Sequence, residues 1–314
     1  MHELYRKEAC GAADVMRPGY LICGILSADM GMQNSQLAAE QSLALAHSHY
    51  ENFPVASALL PMRLRKPIGV IYAFARQADD FADEGDLTPD ERRALLDGFR
   101  RELNQIDNNT MPETPFFVSL QETINTHQLP LQPFYDLLDA FSQDVSKSRY
   151  ADFGEVMDYC RRSANPIGRL LLHLYGMATP RNLGMSDAIC SALQIINFLQ
   201  DVAIDYKKDR IYFPQDEMRK YNITESQIAE GNTAGTWALF MEFEIERARR
   251  LLQSGAPLGL VLPGRIGLEM RTIIAGGERI LHKLHKSRGD IFNQRPALNP
   301  WDWTYMLYRA VSKR

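Results

Sequence analysis

The chain of 314 residues is 45% hydrophobic and 24% charged, a composition typical of globular proteins that excludes a disordered or fibrous one. Its 35 Lys and Arg against 39 Asp and Glu give a formal net charge of -4, so we expect no nucleic-acid partner. The four cysteines lie far apart and form no CxxC motif, which argues against a zinc site or disulfide framework and favours a reducing, cytoplasmic location.

The N-terminal segment is predicted to lie outside the folded domain. An apolar run within residues 17–26 is short and interrupted by glycine, so it does not fit a signal sequence. We interpret residues 1–40 as a loosely ordered leader or a mis-assigned start, with translation beginning at Met32. Residues 41–314 show no repeat or long linker and are predicted to form one domain. No run of about 18 apolar residues occurs, which predicts no membrane-spanning helix.

Helix signals follow one another along this domain. Thr88 is a favourable N-cap, Pro89 suits the first helical position and Glu91 lies in the first turn, which predicts a helix to about residue 106. The other predicted helices cover residues 70–83, 132–146, 153–164, 167–175, 186–206, 236–252, 265–286 and 300–311. Asn165-Pro166 should break the chain between two of them, and Ser186-Asp187 should cap the longest. No alternating β-branched run is visible, so the predicted fold is all-α with essentially no strands.

Two of these helices carry a narrow polar stripe on an otherwise apolar surface. At 100° per residue, the first stripe is about 60° wide and consists of Tyr72, Arg76, Asp79 and Asp83. The second is about 80° wide and consists of Gln194, Asn197, Asp201 and Asp205. A helix that is apolar on most sides belongs inside a bundle, so both stripes are predicted to face an internal, solvated cavity.

The paired acids on these stripes indicate a divalent metal. Like charges four residues apart repel, and in a partly desolvated site they destabilise the fold unless cations neutralise them. Carboxylates without histidine or thiolate select hard ions, and Mg²⁺ commonly shares its shell between protein carboxylates, waters and substrate phosphates. We therefore predict Mg²⁺ and a diphosphate substrate. The alternative is that these are exposed acids on ordinary surface helices.

A basic segment follows the second stripe. Lys207, Lys208 and Arg210 could meet phosphate oxygens, as could Arg76 on the first stripe. The segment 207–214 would then cover a metal–phosphate cluster and exclude water. The alternative is that the basic run complements the dipole at a helix C-terminus.

With these motifs, the chain resembles the squalene and phytoene synthase family, the head-to-head trans-isoprenyl diphosphate synthases. Each stripe matches one of the family's Asp-x-x-x-Asp motifs, and Arg210 and Tyr212 match its Arg-x-Tyr element. Through residues 49–57, 72–85 and 201–214, the chain is most similar to bacterial members that form hydroxysqualene in the hopanoid route. The resemblance implies a helical isoprenoid-synthase bundle around a central cavity.

The resemblance also implies roles for individual residues. The implied metal ligands are Asp79, Asp83, Asn197, Asp201 and Asp205. The implied substrate-binding residues are His49, Phe53, Tyr72, Arg76, Gln194, Asn197, Arg210 and Tyr212. Together with the four aspartates, Tyr159 is the candidate catalytic residue, which assists deprotonation or places a water; alternatively, its hydroxyl satisfies the kinked backbone near Pro166. Phe53, Tyr72 and Phe198 are candidate cavity walls, or simply core.

Two departures from the family pattern stand out. Gln200 occupies a position that is arginine in many members, and Asn165-Pro166 interrupts the helix that begins near Tyr159. The first affects a diphosphate contact, and the second lies where the reacting carbons should be.

The implied reaction converts presqualene diphosphate and water to hydroxysqualene and diphosphate. The alternative is coupling of two farnesyl diphosphates to presqualene diphosphate, squalene or dehydrosqualene. A squalene-forming member would need NADPH, and the sequence has no Gly-x-Gly-x-x-Gly motif. A non-enzymatic acidic scaffold or calcium-binding module is the remaining alternative, although no EF-hand pattern occurs. A hydrophobic product predicts peripheral contact with the inner face of the membrane and handover to other enzymes of the squalene pathway.

Overall fold

The structure, a computed structural model, describes residues 61–312. Its longer helices are α1 (Met62–Asp83), α2 (Pro89–Asp107), α3 (Pro115–His127), α4 (Gln132–Asp144), α5 (Phe153–Ser163), α6 (Asn165–Leu174), α7 (Pro180–Lys207), α10 (Trp237–Gly255), α12 (Gly264–Lys286) and α13 (Pro300–Ser312). The shorter helices are α8 (Gln215–Lys220), α9 (Glu225–Ala229) and α11 (Leu258–Val261). The predicted all-α class is confirmed. The predicted leader and its boundary lie outside the described residues.

Local signals explain several helix ends. At the start of α2, Thr88 Oγ1 accepts a hydrogen bond from the Glu91 backbone N–H at 3.3 Å, and Glu91 Oε2 accepts one from the Thr88 N–H at 2.8 Å. This reciprocal capping satisfies two N–H groups that the helix itself cannot pair. The predicted break at Asn165-Pro166 is confirmed, because α5 ends at Ser163 and α6 begins immediately afterwards with Pro166 in its first turn.

Three sequence predictions are corrected by the structure. The longest helix, α7, begins at Pro180 rather than near Ser186, because the Thr179 side chain caps it and Gly184 does not interrupt it. Helix α3 was not predicted. The chain also contains two short parallel strands, β1 (Arg149–Tyr150) and β2 (Ile211–Pro214), which are too short to show an alternating pattern.

Two apolar clusters hold the helices in place. One is built around α7, α10 and α12, with Trp237 and Phe240 fully buried. The other is built around α1 to α4, where the ring of Phe74 packs 5.1 Å from that of Phe134 and 6.0 Å from that of Phe117. Such aromatic pairs add to the stabilisation from burial alone. These clusters fix α1 and α7, the two helices that carry the polar stripes.

Helix α7 is long and apolar enough to cross a membrane by length and composition, so the prediction of no such segment is wrong on that criterion. Half of its most apolar window is buried inside the protein. Polar side chains such as Ser191 and Gln200 are buried along it as well. A core helix that is covered on most sides by its neighbours has the same composition.

Helices α6 and α7 are in close contact at Gly168. A Cβ atom at this position would overlap the side chains of Ser186 and Cys190 on α7. By contrast, a Cβ at Gly184 on α7 would meet nothing within 4 Å.

We predict that Gly168→Ala destabilises the protein by about 1–3 kcal/mol, because the added methyl overpacks this contact. The matched control is Gly184→Ala, which should stabilise it by about 0.5–1 kcal/mol by removing a helix-interior glycine. Urea unfolding of both variants measures the two effects. Equal unfolding midpoints for the two variants would contradict the close approach of α6 and α7.

Candidate active site

A large apolar chamber lies between α1, α6, α7 and α12. Its volume is about 630 Å³, and its walls include Ile71 from α1, Leu171 from α6, Ile189 from α7 and Met270 from α12. A cavity of this size suits a small-molecule ligand rather than a single water. Its mainly aliphatic walls favour a hydrocarbon ligand.

A second, acidic chamber of about 180 Å³ adjoins the apolar one. Its lining residues are Asp79, Asp83, Asp144, Tyr159, Gln194, Asn197, Phe198, Asp201, Asp205, Arg210 and Tyr212. Five of these also line the apolar chamber, namely Asp79, Tyr159, Gln194, Asn197 and Asp201. The two chambers therefore meet along the polar stripes of α1 and α7.

The structure brings most of the predicted site residues together. All four aspartates of the two stripes line the acidic chamber, together with Arg210 and Tyr212. Tyr72 and Arg76 line the apolar chamber. His49 and Phe53 lie outside the described residues. The roles of these side chains in binding and catalysis stay predictions.

The basic segment after α7 is held against the first stripe. Asp209 adopts a left-handed conformation, with φ of 57°, and its side chain accepts a hydrogen bond from Arg149 at 2.9 Å. This turn directs Arg210 and Lys208 back to Asp83, at 2.5 Å and 3.3 Å respectively. The segment that follows is the buried strand β2. The basic side chains thus contact the acids of the chamber and do more than complement the end of α7.

A loop arginine that the sequence did not single out joins the second stripe. Arg295 lines the apolar chamber, and its guanidinium contacts both carboxylate oxygens of Asp201, at 2.5 Å and 3.1 Å. The loop is anchored by Gln200, whose amide donates to the Pro296 carbonyl at 2.6 Å. Gln200 is buried and lines neither chamber. At this departure from the family pattern, the chain uses glutamine to fix a loop that brings in an arginine.

Asp144 is a second residue that sequence reasoning missed. It ends α4, lines the acidic chamber and accepts a hydrogen bond from the Tyr159 hydroxyl at 2.8 Å. Its other oxygen, Oδ1, is buried without a hydrogen-bond partner among the described residues. An acid in the last turn of a helix opposes the helix dipole, and this unfavourable placement is the signal that could have drawn attention to it. This bond argues against the alternative that the Tyr159 hydroxyl satisfies the backbone near Pro166, because the hydroxyl donates to Asp144 instead.

The chamber holds more negative charge than its basic residues neutralise. Burial, followed by the charge of Asp83, raises the pKa of Asp79 to about 7. Burial and then the charge of Asp201 raise the pKa of Asp205 to about 7, and burial raises that of Asp144 to about 7. Burial would also raise the pKa of Asp83, but its hydrogen bond to Arg210 and the charge of Arg210 lower it instead. Tyr159 stays protonated, because burial raises its pKa well above the usual value.

These donors fit divalent cations that arrive together with a phosphate ligand. Within residues 61–312, no three Asp, Glu, His or Cys side chains form a group that could hold a metal ion by themselves. Mg²⁺ is often bound by only one or two carboxylates and completes its shell with waters and phosphate oxygens. Asp79 and Asp205 supply carboxylates whose pKa values are raised first by burial and then by the charge of a neighbouring carboxylate. A hard cation with oxygen ligands suits this chemistry.

The fold and the paired chambers define an all-helical protein in which a large apolar cavity adjoins a smaller acidic one. The sequence profile of the squalene/phytoene synthase family matches residues 46–302. The chain belongs to this family and is an isoprenoid synthase.

Individual relatives agree with this assignment. The chain is 35% identical over 264 residues to a hydroxysqualene synthase of Rhodopseudomonas palustris. The alignment covers 83% of this chain and 88% of that protein. It is 29% identical over 264 residues to a phytoene synthase of Arthrospira platensis, which spans 80% of this chain and 85% of that protein. The crystal structure of squalene synthase HpnC from Alicyclobacillus acidocaldarius has 33% identity and a TM-score of 0.75, with 82% of this chain and 98% of that chain covered.

The raised pKa values lead to a prediction about stability. Asp79, Asp144 and Asp205 bind a proton more tightly in the folded than in the unfolded chain, so their contribution favours folding at low pH. That contribution is lost as the pH rises from about 4 to about 7. We therefore expect Mg²⁺ to raise the melting temperature little at pH 5 and much more at pH 8.

Thermal unfolding across this pH range, with and without Mg²⁺, measures the effect. Asp205→Asn should flatten the loss of stability with rising pH and reduce the Mg²⁺ effect. Asp158→Asn is the control, because Asp158 lies outside both chambers and its pKa is lowered by hydrogen bonding to Arg161. If Asp205→Asn and the unchanged protein follow parallel curves, the assignment of the raised pKa values is wrong.

Proposed function

We propose that this enzyme converts presqualene diphosphate and water to hydroxysqualene and diphosphate. The observation that carries the proposal is the junction of an apolar chamber with an acidic one along five shared residues. This arrangement suits a substrate whose hydrocarbon chains and diphosphate meet at one carbon. The similarity to hydroxysqualene synthases supports this choice of reaction within the family.

The two chambers divide the work of binding. The aliphatic walls of the apolar chamber take the hydrocarbon chains, and burial of these chains drives association. The acidic chamber takes the diphosphate with its cations. When bound by Asp79, Asp83, Asn197, Asp201 and Asp205, Mg²⁺ supplies the charge that stabilises diphosphate as a leaving group. Arg210, which lines this chamber, donates to phosphate oxygens in addition.

The reacting carbon would lie where the chambers meet. Its bond to the diphosphate oxygen breaks, and the electron pair leaves with diphosphate, so that a carbocation remains. The rings of Phe198 and Tyr212 are stacked 3.7 Å apart in the wall of the acidic chamber, and such aromatic faces stabilise a cation. The surrounding protein limits the access of bulk water to this cation.

Tyr159 and Asp144 are placed to complete the reaction. The cyclopropane ring of the cation rearranges and opens, and the electron pair of the ring bond that breaks forms a carbon–carbon double bond. The oxygen of one water forms a bond to the ring carbon that is released and then loses a proton. In our proposal, the Tyr159 hydroxyl, which lines both chambers, accepts this proton while it passes its own to Asp144 at 2.8 Å. The product alcohol and diphosphate then account for all atoms of presqualene diphosphate and water.

The second candidate is the coupling of two farnesyl diphosphates. It is favoured by the 33% identity to a squalene synthase and by the phytoene synthases among the relatives. Both candidates use the same ionisation of an allylic or cyclopropylcarbinyl diphosphate. They differ in whether a second carbon chain or a water captures the cation, and formation of squalene would further need NADPH.

The first test of function is product analysis. Purified protein with Mg²⁺ is incubated separately with presqualene diphosphate and with farnesyl diphosphate, and the lipids are identified by mass spectrometry. We expect hydroxysqualene from presqualene diphosphate. A C30 product from farnesyl diphosphate alone would establish the second candidate instead.

We predict that Asp201→Asn lowers kcat on the order of 100-fold or more, because it removes a carboxylate that the bound cations need. The matched control is Asp187→Asn on the same helix, since Asp187 pairs with Arg169 and lines neither chamber. Circular dichroism should show unchanged helicity in both variants. An Asp201→Asn enzyme with full activity would refute the role of the acidic chamber.

A further prediction concerns the pair Tyr159 and Asp144. Tyr159→Phe and Asp144→Asn should each lower kcat about 100-fold with little change in KM, because each interrupts the same proton transfer. The double variant should be no slower than the single ones. Tyr150→Phe is the control, because it removes a buried hydroxyl beside Tyr159 but outside both chambers. Additive losses in the double variant would contradict the relay.

A further inference from the structure

The last helix, α13, presents an apolar face to its surroundings. Trp301 is 83% exposed, and Tyr308 and Val311 are each 66% exposed. With Tyr305 and Leu307, which are also exposed, they form what we name the α13 outer face. At 100° per residue these five side chains fall within an arc of about 160° that contains no charged residue. Exposed apolar residues grouped in this way mark an interaction surface.

The orientation of this face is fixed by the opposite side of α13. Asp302 is buried and accepts hydrogen bonds from Arg279 and Lys283 of α12, both at 2.5 Å. Near the other end of the helix, Arg271 donates to the Ala310 carbonyl at 2.6 Å. Because both ends are pinned to α12, the outer face cannot turn inward without breaking buried ionic hydrogen bonds.

A neighbouring short helix carries further exposed apolar side chains. The same Arg271 guanidinium that contacts Ala310 also donates to the Gly259 carbonyl of α11 at 2.6 Å. The next two residues, Leu260 and Val261, are 61% and 42% exposed. The exposed side chains of α11 therefore lie close to the C-terminal end of α13.

Charge is distributed unevenly along the chain, and two residues of its basic C-terminal part border this surface. Residues 257–314 contain ten Lys and Arg and four Asp and Glu, a formal charge of +6 in a chain whose total is -4. Two of these basic residues, Arg279 and Arg309, place their guanidinium groups 5.6 Å and 6.0 Å from the centre of the Tyr305 ring. Cations thus border the apolar face in the three-dimensional structure.

We propose that the α13 outer face, together with Leu260 and Val261, is a peripheral membrane-binding surface that prefers anionic lipids. Tryptophan and tyrosine rings favour the interface between lipid headgroups and acyl chains, and basic residues beside them bind anionic headgroups. A second copy of the chain is the less suitable occupant. A symmetric dimer through this face would place the Arg309 side chains of both copies, each beside a Tyr305 ring, in one interface, whereas an anionic membrane neutralises their charge.

The location of this surface suits a lipid-binding enzyme without depending on its reaction. Helix α12 contributes Ile266, Met270 and Ile273 to the apolar chamber and uses another face, with Arg271 and Arg279, to hold α13. The chamber and the α13 outer face are thus separated by two helices, α12 and α13, each about 10 Å across. Membrane binding can be measured without substrate, so its failure and a failure of the proposed reaction are distinguishable.

The test is flotation of the full-length protein with lipid vesicles. One set contains equal parts of phosphatidylcholine and phosphatidylglycerol, and the other contains phosphatidylcholine alone. We expect binding to the anionic vesicles that weakens with salt, and the double variant Trp301→Gln, Tyr308→Gln should bind about tenfold more weakly or worse. Leu239→Gln on α10 is the matched control, because Leu239 is 61% exposed but lies outside this surface.

A second measurement locates the contact. Brominated lipids should quench the fluorescence of the protein. In a Trp303→Phe background, Trp301→Phe should remove most of this quenching, because the remaining tryptophan, Trp237, is fully buried. Urea unfolding checks that each variant is folded. Absence of binding to anionic vesicles, or equal binding by the double variant, would overturn the proposal. A dimer in solution that the double variant dissociates and that lipid does not displace would assign the surface to a second copy instead.

Discussion

Burial of several carboxylates in one acidic chamber, with their mutual repulsion added, is the constraint on which the site depends. Five aspartates line this chamber, and three of them, Asp79, Asp144 and Asp205, have pKa values raised to about 7. The fold accepts this unfavourable charge because α1 and α7 are held in place by two separate apolar clusters. A site of this kind is balanced fully only when cations enter, and cations in turn favour an anionic ligand. In the function that we propose, the negative charge of the chamber therefore promotes binding of a diphosphate through the ions that accompany it.

Two arginines beside the chamber have long side chains on a backbone that is held in place by other contacts. Arg210 pairs with Asp83, and Arg295 pairs with Asp201. The turn at Asp209 fixes the backbone of Arg210, and the hydrogen bond from Gln200 to Pro296 fixes the backbone next to Arg295. Each arginine can therefore transfer hydrogen bonds from a carboxylate to a phosphate oxygen by a side-chain movement alone. The helices that carry the acids are therefore rigid, whereas the arginine side chains beside them can adjust to a ligand.

The periodicity of the sequence was enough to predict the two stripes, because a helix places residues four apart on one face whatever surrounds it. It could not predict Asp144 or Arg295. Asp144 meets Tyr159 only because α4 packs against α5, and Arg295 reaches Asp201 across 94 positions of sequence. The error at the start of α7 has a local cause, since Ser186 resembles a cap but is buried against α6. Sequence reasoning thus identified residues on one helix face and missed those that tertiary contacts bring in.

The separation of charge explains how one acidic chain could serve an anionic ligand and an anionic surface. The acids of the acidic chamber are turned inward, where cations can neutralise them, whereas Arg279 and Arg309 border an exposed apolar face. If the charges were mixed evenly, the net charge of -4 would repel both partners weakly. Helix α12 joins the two regions, because one of its faces lines the apolar chamber and another holds α13. A shift of α13 on a membrane would therefore move α12, which is a wall of the chamber. This direct contact is sufficient to couple lipid binding at α13 with ligand binding in the chamber.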